Sequence, residues 1–316
     1  MTTDHTMRAV HQDSLGEPEV LAVVDLPRPT PRTNEILVRV KAASVNPTDW
    51  KHRATGGFLG RPPFVLGWDL SGVVEEVGIG VARFAPGDEV FGMLSYPFGH
   101  GAHAEYVAAP AAWFAAKPAG IDHVQAAALP LVSLTAWQAL VENADIQPGQ
   151  RVLIHAAAGG VGHVAVQIAK ARGAYVIGTA SAGKHDFLRE LGVDEAVDYR
   201  EVDFAEVVGD VDAVLDTIGG DTSARSLRTL RPGGVVVSIL PVGSDDFFRE
   251  AHDLGVRALR MLVDASRHDL VSIADLVEQG ALRATIAGVF PLEQAAEAHR
   301  RGETGRTSGK LVLTAD

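Results

Sequence analysis

The stretch Arg151-Val-Leu-Ile-His-Ala-Ala-Ala-Gly-Gly-Val-Gly162 decides the fold of this chain. Its opening run, Val152-Leu153-Ile154, is short and apolar, the pattern of a buried strand. The run breaks at Ala156-Ala157-Ala158-Gly159-Gly160-Val161-Gly162. A helical pattern follows, with Val161, Val164, Ala165, Ile168 and Ala169 on one face and a stop at Gly173. Strand, tight turn and helix together make a phosphate site. Small residues let the backbone approach a pyrophosphate, and the helix N-terminus offers unpaired N–H groups and a partial positive charge. Ala157, Gly159, Gly160, Val161 and Gly162 are therefore candidate cofactor-binding residues. The first glycine of such a fingerprint is missing, because Ala157 holds its place. The competing reading is a plain glycine turn closing a βα unit.

On either side of this motif the texture of the chain differs. From Met7 to about Gly120 it is strand-like and rich in turns. Glu35–Lys41, Leu70–Val77 and Ala104–Val107 read as strands, and Ala85–Phe91 as a turn leading into one. Helical pattern is scarce there. Near Asp122 the texture changes. Asp122 caps a short helix over His123–Ala128, Pro130 interrupts it, and Val132–Asn143 reads as a second helix. Beyond the glycine motif, strands and helices alternate. The strands are Tyr175–Ile177, Ala213–Asp216, Val235–Ile239 and Val256–Val263. The helices are Lys184–Leu191 and Thr222–Leu230, the latter stopped by Arg231-Pro-Gly-Gly234. Such alternation predicts a parallel sheet covered on both faces. Helices around Leu270–Gln279 and Glu293–Arg300 and a strand at Lys310–Leu313 complete the tail. The division is residues 1–122 as a β-rich domain, 123–265 as a doubly wound dinucleotide-binding domain, and 266–316 as a further segment.

With 316 residues, two domains of ordinary size fit. The net charge of −12 argues against nucleic acid or an anionic membrane as partner. There is no cysteine, which excludes disulfides and thiolate metal sites. Met1–Met7 has neither the basic start nor the apolar core of a signal peptide, and no run approaches the ~18 apolar residues of a membrane span. A cytoplasmic protein is expected.

Several segments, taken in order, resemble the zinc-independent branch of the medium-chain dehydrogenase/reductase superfamily, which holds quinone oxidoreductases of the zeta-crystallin type and alkenal or enone reductases. They are Ala43-Ser-Val-Asn-Pro-Thr-Asp-Trp-Lys51, Gly67-Trp-Asp-Leu-Ser-Gly72, Pro86-Gly-Asp-Glu-Val90, Ala104-Glu-Tyr-Val107, Leu129-Pro130, Thr135-Ala136-Trp137, Ala156–Gly162 and Gly309-Lys310. The resemblance runs nearly end to end. It implies an α/β fold with a GroES-like catalytic domain, interrupted by a Rossmann domain and rejoined by the C-terminal tail. It also implies an active site in the cleft between the two.

The resemblance makes zinc dehydrogenases relatives, so a metal site is the first candidate. Asn46 stands where their first zinc ligand is a cysteine, and Gly67-Trp68-Asp69 replaces their Gly-His-Glu. His100 and His103 have a ligand-like spacing, but they lie in a Gly-rich stretch and read as a surface loop. Chemistry without a metal is expected.

For the cofactor, an NAD site places an acid at the end of the second strand, about 20 residues past the glycines. Tyr175-Val-Ile-Gly-Thr-Ala180 ends in none, and Ser181 and Lys184 follow. A hydroxyl and a cation suit the 2′-phosphate of NADPH. The competing reading makes Lys184 a solvated residue in the first turn of a helix. The resemblance adds Gly219 and Lys310 to the cofactor-binding set.

A hydride arriving at a quinone or enone drives negative charge onto the carbonyl oxygen, which calls for a donor and a proton source. The resemblance puts Asn46, Lys51 and Thr135 near the nicotinamide. Asn46 alternatively satisfies a turn before Pro47. Many quinone oxidoreductases of the family have Tyr at the place of Lys51, and enone reductases often have Lys, which tilts the reading toward enones. Lys51 alternatively is exposed after a turn or pairs with Asp49. His155 reads as a packing histidine, and Tyr96 and His100 as residues lining the substrate mouth. The expectation is an NADPH-dependent quinone or enone oxidoreductase acting on a small molecule, dimeric through the edge strand Val256–Val263. The alternatives are an enoyl-thioester reductase and a non-catalytic NADPH-binding protein.

Overall fold

The computed structural model describes residues 6–240 and 245–315, so the N-terminal reading at Met1–His5 lies outside the described residues. The chain divides into two compact units. One holds the residues up to Leu131 together with those from Asp264 onward, and the other is Val132–Val263.

In the first unit the strand Glu35–Val45 is the organiser. Its eleven residues, rich in Val, Ile and Leu, are buried on both faces for most of their length. Breaks in register at Leu37/Val38 and Val40/Ala42 let it bend. It pairs antiparallel with Asp69–Val77, with Tyr106–Pro110 and with the returning strand Lys310–Thr314. Glu89–Met93 and Phe114–Ala116 extend the sheet on one side, and Ile286–Pro291 closes the other by parallel pairing with Lys310–Thr314. A smaller sheet joins Ala22–Pro27, Thr6–Gln12 and Phe64–Val65. Val38, Val40, Leu70, Val74, Val90, Phe114, Leu311 and Leu313 fill the core between these elements. The strand Lys310–Thr314 of the tail is thus part of this unit's core.

Two sequence expectations change here. The segment after Asn46 is not a turn but the helix Pro47–Thr55. Pro47 takes the first helical position, where its missing N–H costs nothing, and the Asp49 carboxylate accepts the N–H of Asn46 at 2.6 Å. The helix is fixed from its far side. Arg53 is buried, pairs with Glu303 at 2.7 Å and donates to the Gly16 carbonyl at 3.0 Å. Second, the expected strand Ala104–Val107 is displaced to Tyr106–Pro110, and Ala104 makes only an isolated bridge to Ala9. Asp122 caps the helix His123–Ala127 as expected, accepting the Gln125 N–H at 2.8 Å. That helix packs on Glu35–Val45 and Asp69–Val77, so it goes with the first unit rather than the second.

The second unit is an all-parallel, six-stranded sheet. From edge to edge its strands are Glu195–Asp198, Tyr175–Ala180, Arg151–Ile154, Val211–Asp216, Leu230–Ser238 and Arg257–Arg260. In chain order this is 3-2-1-4-5-6, the doubly wound Rossmann arrangement, whose order reverses between Arg151–Ile154 and Val211–Asp216. Leu153, Ile177, Val214 and Val236 make its core. The helix Val132–Asn143 is seen as Pro130–Trp137 followed by a π-helical turn, Gln138–Asn143. Pro130 therefore starts a helix, where a proline is tolerated. The helical residues end at Thr229, just before Arg231-Pro-Gly-Gly234 as expected, and that segment also forms the irregular start of Leu230–Ser238, with a register break and a φ of +80° at Gly233. Among the described residues no helix is long and apolar enough to cross a membrane.

Gly309 delivers the last strand into the first unit. Its φ is +80°, and a Cβ there would lie 2.2 Å from the Thr285 carbonyl oxygen. Gly309→Ala is expected to lower stability by about 1–3 kcal/mol or more, read as a shift in the denaturant midpoint.

Candidate active site

The glycine turn lies where a doubly wound sheet binds its ligand, at the carboxyl end of the strand beside the reversal point. Ala156 turns the chain with a φ of +46°, held by its N–H to Thr179 Oγ1 at 3.2 Å. Gly159 caps the helix Gly160–Ala171. The N–H groups of Gly160, Val161 and Gly162 are in its first turn, where helix geometry gives them no internal partner. Gly162 has no room for a side chain, since a Cβ would lie 2.3 Å from the Ala156 carbonyl oxygen. This turn fits a pyrophosphate. The missing first glycine is compensated across the sheet. A Cβ at Gly178 would meet the Ala157 methyl at 2.9 Å, so the neighbouring strand leaves room for it.

Asp216, at the end of the fourth strand, shapes the facing loop. Its Oδ1 accepts the N–H groups of Ile218 and Gly219, both at 2.9 Å, and its Oδ2 accepts the hydroxyls of Ser238, at 3.0 Å, and Ser223. Gly219 thus gives its own N–H to Asp216. It serves the loop through a φ of +81°. His155 is buried between Thr179 Oγ1 and Ser226 Oγ, and burial lowers its imidazole to about 4. It packs edge-on against Phe204, in keeping with a structural role.

Ser181 and Lys184 flank a short turn after Tyr175–Ala180. No acid ends that strand, but Asp198 stands opposite Ala180 on the next one. Its carboxylate is taken up by the N–H groups of Ala182, at 2.8 Å, and Arg200, at 2.9 Å. The Lys184 side chain is half-buried and makes no ion pair among the described residues. Thr135 is buried in the helix Pro130–Trp137.

In the first unit, Asn46 is fully buried, and its amide bridges two opposite charges. Its Nδ2 donates to Asp69 Oδ1 at 2.9 Å and to Ser44 Oγ at 3.2 Å. Its Oδ1 accepts from the ammonium of Lys310, which also donates to the Val45 carbonyl at 3.3 Å. The charges fix the amide's orientation, because only its oxygen faces a cation and only its nitrogen faces a carboxylate. Asp69 Oδ2 accepts the Leu131 N–H at 3.0 Å, and Ser44 Oγ donates to Asp69 Oδ1 at 2.7 Å. Asp49 lies beside this group, between the N–H groups of Asn46 and Gly67. Burial pushes its carboxyl up to about 8, against the pull of those donors and of Lys310. Burial also lowers Lys310, against the pull of Asp69 and Asp49.

This arrangement bears on two expectations. Both Asn46 N–H groups are engaged, so its amide has none left for a substrate oxygen. Lys310 is buried on Asn46 rather than free to hold a cofactor. Lys51 lies on the next turn of the same helix and is exposed, with no side-chain partner among the described residues. The metal-like pair also resolves differently from a surface loop. His103 is fully buried, lies 3.1 Å from the Ser44 carbonyl oxygen and is lowered to about 4 by burial, while His100 lies 2.7 Å from that of Val65. Among the described residues no group of three or more His, Cys, Asp or Glu is arranged to hold a metal. Asp49, Asp69, Ser44 and Asp216 were not singled out in the sequence. Asp49 has a signal, Asn-Pro-x-Asp at a helix start, whereas the others depend on contacts distant in sequence.

Comparison with known proteins matches the chain to two family models. "Alcohol dehydrogenase GroES-like domain" covers residues 32–119, and "Zinc-binding dehydrogenase" covers residues 191–313. A 2-haloacrylate reductase from Burkholderia sp is 36% identical, over 90% of this chain and 92% of that protein. The solved structure of the quinone oxidoreductase from Coxiella burnetii is 39% identical, with a TM-score of 0.93 over 98% of this chain and all of that one. The chain belongs to the quinone oxidoreductase branch of the medium-chain dehydrogenase/reductase superfamily. It is an oxidoreductase with the family's GroES-like and Rossmann domains and an NAD(P)H-binding site. Another solved member, an NAD-dependent alcohol dehydrogenase, is 37% identical with a TM-score of 0.90, over 98% of this chain and all of that one.

Lys310→Met removes the cation and leaves the buried Asp69 carboxylate uncompensated. A loss of about 3–5 kcal/mol is expected in denaturant unfolding followed by tryptophan fluorescence. Adding Asp69→Asn is expected to recover part of that loss, as a coupling between the two sites.

Proposed function

We propose that this enzyme uses NADPH to reduce the C=C bond of an α,β-unsaturated carbonyl compound, with quinones as further acceptors. The observation that carries this reading is the division of roles around the helix Pro47–Thr55. Asn46 at its cap is locked inside by Lys310 and Asp69, while Lys51 presents an exposed, unpaired ammonium one turn on. The haloacrylate and quinone substrates named for its relatives are both electron-poor C=C systems conjugated to an oxygen.

When bound, the reduced nicotinamide supplies a hydride. Lys51 then stabilises the negative charge that moves to the carbonyl oxygen of the acceptor. Asn46, Asp49, Asp69 and Lys310 are positioning residues. They hold the start of the helix, and hence Lys51, in a fixed place. Thr135 and the Ala156–Gly162 turn are assigned to the cofactor, the turn through the N–H groups of its helix.

Lys51→Met keeps the side-chain length and removes the charge. Turnover on an enone is expected to fall by about ten- to a thousandfold at unchanged NADPH affinity. Unchanged turnover across a panel of enones would remove Lys51 from the mechanism.

NADPH preference is assigned to Ser181 and Lys184. The support is the lack of an acid ending Tyr175–Ala180 together with an unpaired Lys184, since Asp198 is held by two backbone N–H groups. A lysine–phosphate contact is worth roughly 1.5–3 kcal/mol. Lys184→Ala is expected to raise the Michaelis constant for NADPH about ten- to a hundredfold and spare NADH. Equal losses with both cofactors would reject the assignment.

We also propose a homodimer. Arg257–Arg260 is an edge of the parallel sheet, bonded on one side only to Leu230–Ser238. Pairing with its own copy about a two-fold axis would satisfy that edge. Light scattering at micromolar concentration is expected to give twice the chain mass of 33.4 kDa, and a monomer would refute the pairing.

A further inference from the structure

Reducing a C=C bond takes a proton at the α-carbon as well as a hydride at the β-carbon. Three side chains of the first unit form a hydrogen-bond chain with a direction. His52 Nδ1 lies 2.7 Å from the Thr48 carbonyl oxygen and 3.1 Å from Thr48 Oγ1. A carbonyl oxygen only accepts, so Nδ1 carries the hydrogen and Nε2 is a bare acceptor. Thr48 Oγ1 in turn donates to Tyr96 Oη at 3.1 Å. The O–H of Tyr96 is therefore directed outward from the chain. At the opposite end, His52 Nε2 is buried with no hydrogen-bond partner among the described residues. Gly57, which is exposed, lies beside it; a Cβ there would lie 2.8 Å from Nε2.

The surroundings hold the phenol in place and are apolar. Trp68 packs on Tyr96 with centroids 5.5 Å apart, and its Nε1 donates to the Pro97 carbonyl at 3.2 Å. Phe58 meets the Tyr96 ring edge-on at 6.2 Å. Phe58 is 60% exposed and Phe98 is 76% exposed, unusual for large aromatic side chains. Thr48 and His52 belong to the same helix as Lys51.

We propose that Tyr96 is the proton donor to the α-carbon of the substrate, and that Thr48 and His52 form the relay that reprotonates it. The assignment rests on the enone reading above. The α-carbon of the enolate forms its C–H bond as the Tyr96 O–H bond breaks. The phenolate oxygen takes the Thr48 hydroxyl proton, and Thr48 takes the Nδ1 proton of His52. His52 Nε2 takes a proton from solvent as Nδ1 gives up its own. Exchange with solvent, one proton lost at Nε2 and one gained at Nδ1, then restores the Nδ1–H form that the Thr48 carbonyl holds, so the imidazole stays neutral and the cycle closes. The net addition is one hydride and one solvent proton. Burial raises the Tyr96 phenol and lowers the His52 imidazole. Both shifts favour a protonated donor and a neutral relay between turnovers.

The test is reduction of an α-methyl cyclic enone with NADPH in D2O. Wild-type enzyme is expected to place deuterium on the α-carbon with a single configuration. Tyr96→Phe is expected to lower turnover by about a hundred- to a thousandfold, leave the NADPH Michaelis constant unchanged and give a product of mixed α-configuration. Thr48→Val is expected to lower turnover about tenfold while keeping the configuration, and Thr48→Ser to restore the rate. If wild type reduces enones and Tyr96→Phe matches it in rate and α-configuration, Tyr96 is not the donor. A wild type inactive on every enone overturns the enone reading, and this assignment falls with it.

Discussion

The first unit depends on one amide held between two charges. Asn46 gives its hydrogens to Asp69 and Ser44 and its oxygen to Lys310, all away from water. A buried ammonium or carboxylate alone is costly, and the amide lets each meet the opposite end of a dipole. The three residues come from different places: the end of Glu35–Val45, the start of Asp69–Val77 and the start of Lys310–Thr314. The network therefore fixes where three strands end. It also fixes where the helix carrying Thr48, Lys51 and His52 begins.

By the resemblance, Asn46 stands where metal-dependent dehydrogenases have a cysteine. Here an internal lysine supplies positive charge beside that position. The two buried histidines nearby follow the same economy of charge. Burial holds both His103 and His299 below their ordinary range, so they remain neutral, and their rings lie 6.3 Å apart.

The Rossmann unit was legible because its signals are local. Val152–Ile154, the glycine turn and the face led by Val164 and Ile168 are contiguous, and the period of apolar residues settles strand and helix. The cap at Asp122 was legible for the same reason. The helix Pro47–Thr55 was missed because it is short and mostly polar. Its cues were two capping positions, Pro47 and Asp49, rather than an apolar stripe. The contact between Asn46 and Lys310 was not legible because it joins residues 264 positions apart. His100 and His103, in a glycine-rich stretch, read as a surface loop. Their local sequence carries no trace of the strands that enclose His103.

Ala157 and Gly178 occupy one volume between them. The first gives the turn a methyl group where a dinucleotide fingerprint has none, and the second leaves out the side chain that methyl would strike. The two positions are thus a single choice written twice. A lineage can pass from Ala-and-Gly to Gly-and-Ala only through the roomy intermediate with two glycines, because two alanines would collide. The order in which those mutations occur is set by the width of one gap in the sheet.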